Sequence, residues 1–188
     1  MKRQIVAAVL ALAFVAGAVP ASTELQDTLT VEAAKKKTPS VKKIRKAVME
    51  AYGENYHANY SLTSEEINQT YGLSSKWYTA AVADVPMISV NVDTFVAVKA
   101  KDAKAKKKIK AKLEEYKDTQ INDALQYPMN LLKFQGSRIY TKGDYVFFIM
   151  LGSIDNETMQ TATEEEQIEM FKEQNQLAVD TIKELFAK

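Results

Sequence analysis

Seven consecutive apolar residues, Tyr145-Val146-Phe147-Phe148-Ile149-Met150-Leu151, constrain the fold more than any other stretch. A short apolar run bounded by turn signals is the pattern of a strand buried on both sides. The turn signal before it is Thr141-Lys142-Gly143-Asp144, and Ile139-Tyr140 precedes that, so Ser137 to Leu151 reads as a hairpin. Successive side chains on a strand point to opposite faces. If helices pack on one face only, Val146, Phe148 and Met150, or their opposites, stay exposed unless a further helix or the N-terminal segment covers them. Left uncovered, they form an apolar docking surface for a partner protein.

The rest of the chain supplies helices and one more pair of strands. Ser40 is placed to cap a helix whose apolar positions are Val41, Ile44, Val48 and Tyr52, with Gly53 to end it. Thr63-Ser64-Glu65-Glu66 has the form of a capping box, and Gly72 marks the stop. Between residues 76 and 100 the composition turns aromatic and β-branched, interrupted by Pro86, which predicts two strands. Asp102 caps a lysine-rich helix expected to run to about Tyr127, where Pro128 stops it. Met129 to Gln135 adds a short helical turn. Ile168, Phe171, Ala178, Ile182, Leu185 and Phe186 define a final amphipathic helix. The order ααββαββα lacks strand–helix alternation. It predicts a single α+β domain with a four-stranded, mainly antiparallel sheet and helices packed on one face.

The first 21 residues read differently. Met1-Lys2-Arg3-Gln4 is a short basic start, Ile5 to Ala18 is an apolar run of fourteen, and Val19-Pro20-Ala21 offers small residues for cleavage. This is the pattern of a secretory signal peptide, and the run is short for a membrane span of ~20 residues. Cleavage is expected after Ala21, or near Ala33. Residues 22–39 read as a flexible polar leader and residues 40–188 as the domain. Removing residues 1–21 leaves 23 basic against 24 acidic side chains, so no global charge directs the chain to nucleic acid. There are no cysteines, which excludes disulfides, thiolate metal sites and cysteine nucleophiles.

A resemblance adds to this. The stretch ADVPMISVNVDTFVAVKAKD, the long helix after it, then QYP and GDYVFFIMLG, resemble a family of small exported proteins of Gram-positive bacteria, domain of unknown function 4358. The matching positions are Tyr71-Gly72, Pro86, Asp93, Lys99, Asp102, Tyr127 and Gly143-Asp144-Tyr145, within about residues 44 to 155. The family has no established activity, so the resemblance assigns no catalytic residue. Many members are lipoproteins, whereas this chain has no cysteine to carry a lipid. Some are encoded near membrane O-acyltransferases of envelope polymers, which implies an accessory role in envelope modification.

Little in the residues themselves points to catalysis. The one histidine, His57, lies in ENYHANY with no nucleophile motif beside it, and one histidine cannot form a paired zinc site. No calcium loop, P-loop or dinucleotide fingerprint is present, so no cofactor is expected. Adjacent glutamates such as Glu114-Glu115 point in different directions on a helix and do not make a shared acid–base pair.

The strongest remaining signal is AKDAKAKKKIKAKLEEYK, residues 100–117, with eight lysines. Ala105, Ile109, Leu113 and Tyr116 fall on one side, and Lys104, Lys106, Lys107, Lys108, Lys110 and Lys112 fan over the rest. A solvated helix face explains this pattern. Two details go against helix stability alone: Lys104, Lys108 and Lys112 stack like charges, and several lysines crowd the positive end of the helix dipole. An anionic partner would offset both. Lys104, Lys106, Lys107, Lys108 and Lys112 are therefore the candidate anion-binding residues. Nucleic acid is not expected as a partner, because no aromatic residues interleave with these lysines. The sequence thus points to an exported, non-enzymatic, envelope-associated domain binding an anionic envelope polymer or headgroup. The alternatives are an accessory protein that docks a membrane O-acyltransferase-type enzyme through its apolar strand face, and a hydrolase using His57.

Overall fold

A computed structural model describes residues 38–88 and 90–188. The expected signal peptide and most of the polar leader lie outside these residues. The described chain begins by tying itself to the sheet, where the Tyr145 hydroxyl donates to the Pro39 carbonyl at 2.7 Å.

Six α-helices, two single-turn helices (Gly53–Asn55 and Ser75–Trp77) and five strands follow among the described residues. The helices are α1 (Val41–Tyr52), α2 (Ser64–Tyr71), α3 (Ala103–Asn122), α4 (Pro128–Gly136), α5 (Asn156–Thr161) and α6 (Glu164–Ala187). The strands are β1 (Tyr60–Ser61), β2 (Tyr78–Val85), β3 (Thr94–Ala100), β4 (Arg138–Lys142) and β5 (Tyr145–Met150). They form one sheet in the order β1-β2-β3-β5-β4, with every neighbouring pair antiparallel. The α+β class and the antiparallel sheet match the expectation, but the sheet has five strands rather than four. The extra strand, β1, has two residues, too few to leave an alternating pattern in the sequence.

A second expectation is corrected: helices cover both faces of the sheet, not one. Phe95 and Ala97 of β3, with Tyr145, Phe147 and Ile149 of β5, pack against Val41, Ile44 and Val48 of α1 and Ala178, Val179 and Ile182 of α6. The alternate residues Val96, Val98, Val146, Phe148 and Met150 pack against Ile67 and Tyr71 of α2, Ala105, Ile109 and Leu113 of α3, and Phe134 of α4. Every side chain of β5 is buried on one face or the other. Full burial of one such side chain contributes about 1.5–3 kcal/mol, so a bare face would forfeit several of these contributions. The apolar strand is therefore no docking surface, and the alternative that needed one loses its contact area.

The helix ends follow the local signals. The Ser40 hydroxyl accepts from the Lys43 amide at 3.2 Å. Thr63 and Glu66 complete a capping box on α2, and Gly72 takes a left-handed conformation at its end. Asp102 caps α3 by accepting from the Ala105 amide at 2.7 Å. Helix α3 ends at Asn122, before the expected Tyr127, and Pro128 opens α4 instead of closing α3. Proline at the first helical position lacks only an amide proton that would have no partner there.

Candidate functional site

The two ends of the sheet carry different chemistry. One end holds the β2 start, the β3 end and the α3 start, fastened where the Lys101 amide donates to the Trp77 carbonyl at 3.1 Å. Here a shallow groove of about 340 Å³ is lined by Lys76, Trp77, Lys101, Asp102, Lys104 and Lys108. A single-turn helix at Ser75–Trp77 brings in Lys76 and Trp77, and α3 projects Lys104 and Lys108 from its first two turns. The Lys108 ammonium lies 5.3 Å from the Trp77 ring centroid, a cation–π arrangement. Among the described residues, none of these four lysines forms an ion pair. The one carboxylate in the groove, Asp102, is engaged in capping α3.

The structure divides the lysines singled out by the sequence. Lys104 and Lys108 face the groove. Lys106 donates instead to the Gly143 carbonyl at 2.6 Å, tying α3 to the β4–β5 turn. Lys112 pairs with Glu115 at 2.8 Å and lies against Gly72. Lys107 is exposed and stands outside the groove. Beyond those five, Lys110 pairs with Glu114. Lys117 donates to the Ser137 carbonyl at 2.8 Å, and its burial pulls its pKa below the ordinary lysine value. Lys76 and Trp77 were not legible as part of this patch, because the chain brings them to α3 only through the β2–β3 pairing, whereas Lys101 belongs to the lysine run itself and sits just before the Asp102 cap. Trp77 is the aromatic partner that the lysine run itself lacks.

The other end of the sheet holds a cleft of about 220 Å³ whose wall includes His57, Asn130, Lys133 and Ser153. Lys133 of α4 forms an ion pair there with Asp93, which precedes β3 and is fully buried. The Lys133 ammonium also donates to the Gly152 carbonyl at 2.7 Å. Burial raises the Asp93 pKa, opposed first by Lys133 and then by the neighbouring His57 imidazole and amide. The Asp93 Oδ2 atom is buried without a hydrogen-bond partner, with the His57 amide close enough only to lower its pKa. His57 lies in the loop before β1, and that loop forms part of the cleft wall. Among the described residues no group of three or more His, Cys, Asp or Glu side chains is placed to hold a metal.

The architecture is that of a two-sided α+β domain on one antiparallel sheet, with a cationic groove at one end and a charge-balanced cleft at the other. A family model described as Domain of unknown function (DUF4358) matches residues 51–151, and the chain belongs to that family. The match runs from the end of α1 to the end of β5 and takes in Asp93, Lys133 and the whole of the lysine groove. No curated protein and no solved structure matches the chain.

Proposed function

We propose that this chain is an exported, non-enzymatic binding domain that holds an anionic polymer or headgroup of the cell envelope in the groove around Trp77. Export rests on the basic start, the apolar run and the small-residue exit of residues 1–21. The observation that carries the binding role is the convergence of Lys76, Lys101, Lys104 and Lys108 on one groove without carboxylate partners. Such a cluster repels itself when empty, and a polyanion relieves that repulsion. The N-terminus of the 20-residue helix α3 adds a positive dipole end at the same place. Trp77 gives an apolar plate for the sugar or glycerol backbone of a polyanion to rest on.

Co-sedimentation of the full chain with purified Gram-positive cell walls, with and without teichoic acid, tests this. Binding should require the polymer and fall about tenfold or more between 50 and 200 mM salt, as counterion release dictates. The Lys101/Lys104/Lys108→Ala triple variant should lose it, and Lys107→Ala should not. Binding indifferent to salt and to the triple variant would return these lysines to solvent.

A further inference from the structure

The cleft at the opposite end has no part in that role, yet its construction is specific. Its lining includes Lys133, whose side chain is 11% exposed and is paired from behind with Asp93, which is fully buried and does not itself line the cleft. The two charges cancel. A ligand bearing a net charge would leave one charge uncompensated in a low-dielectric site, whereas an uncharged ligand would not. The pair nevertheless has unused hydrogen-bonding capacity. Lys133 has three N–H donors and commits two of them, to Asp93 and to the Gly152 carbonyl. The cleft wall adds the His57 imidazole and the Asn130 amide, whose Nδ2 makes only a long 3.5 Å bond to the Val90 carbonyl.

Asn91, Ser153 and Asn156 add further polar groups to the lining, and the rest of the wall is apolar. Val92, Met129, Met159 and Phe171 line it. Val90 and Met129 belong both to the wall and to the surface, being 61% and 57% exposed. The apolar lining therefore continues out of the mouth, and Met87 and Ile88, in the loop of Val90, and Tyr127, just before α4, are also exposed. The volume equals roughly seven waters at ~30 Å³ each, enough for a short chain with a polar head.

We propose that this cleft binds a small uncharged amphipathic molecule, its amide, ester or hydroxyl head against Lys133 and its apolar tail leaving between Val90 and Met129. A matched probe series tests both the site and the charge. The full chain, labelled with carbon-13 at its methionine methyl groups, is titrated with hexanamide, hexanoate and hexylammonium. Met129 and Met159 should shift and saturate with hexanamide, and both ions should bind at least about tenfold more weakly. Met49 and Met170 lie outside the cleft lining and should not move. Tighter binding of either ion would overturn the charge assignment, and shifts that never saturate, or that spread to Met49 and Met170, would overturn the site. Ser153→Trp fills the mouth from an exposed position and Met129→Ser removes apolar wall. Each should weaken hexanamide binding about tenfold while leaving the Met49 signal in place. Unaltered binding in both variants would also overturn the proposal, whereas the Lys101/Lys104/Lys108→Ala variant should bind hexanamide normally.

Discussion

At the scale of single residues, buried polar atoms separate into satisfied and orphaned ones. Asn175 of α6 is fully buried and fully used. Its Nδ2 donates to the carbonyls of Phe171 and Gly136 at 2.8 and 3.1 Å, and its Oδ1 accepts from the Leu151 amide at 2.8 Å. One side chain thus joins α6, α4 and the end of β5. Asp84 is likewise buried and accepts from the hydroxyls of Tyr56 and Ser61 at 2.7 and 2.5 Å as well as from Arg45. The Tyr71 hydroxyl, by contrast, is buried without a partner. Thr94 lies near it but donates to the Val92 carbonyl at 3.0 Å instead. The ring is held edge-on against Tyr116 at 4.7 Å between centroids, a contact that needs no hydroxyl. Tyr71→Phe is therefore expected to keep full stability or to gain up to about 1 kcal/mol, read from the urea midpoint. None of this accounting is visible along the chain. Asp93 and Lys133 are forty positions apart, and no local pattern links them.

At the scale of elements, much was legible. The caps at Ser40, Thr63 and Asp102 and the stripe Ala105, Ile109, Leu113 all fall where their spacing places them, because capping and amphipathicity are local properties. The short β1 and the single-turn α5 were not legible, since two and six residues carry too little periodicity. Nor was the stop of α3 at Asn122, because Pro128 suits a helix start as well as a helix end. The contact between α4 and α6 offers a sharp test. A Cβ added at Gly136 would stand 2.5 Å from the Phe171 Cβ and 3.0 Å from the Ile168 carbonyl oxygen. The latter is backbone and cannot swing away. Gly136→Ala should therefore force the two helices apart and cost about 1–3 kcal/mol in chemical denaturation, despite alanine's better helix propensity.

At the scale of the whole molecule, the both-sided burial of β5 follows from its unbroken apolar run, a signal present in the sequence. The tally of helices misled the architecture, because it could not show that α1 and α6, the first and last elements, meet on the face opposite α2, α3 and α4. The strand order also sets a timetable. The β2–β3 and β4–β5 pairs are each built from neighbouring segments. The seam between them, Val98 opposite Val146 and Val96 opposite Phe148, must wait for the chain through α3 and α4 to close. Such distant pairing is entropically late and sets the folding rate. Val98 is fully buried at that seam, whereas Leu185 packs at the rim of the core in the last turns of α6. Stopped-flow measurements should show Val98→Ala slowing refolding by most of its destabilisation of about 2 kcal/mol. Leu185→Ala should leave the refolding rate nearly unchanged and speed unfolding. Each half of the sheet can then form before the domain exists, and the groove, drawn wholly from residues 76–108, needs only the β2–β3 half and the start of α3, whereas the cleft cannot form early, since it is assembled from residues on both sides of that late closure.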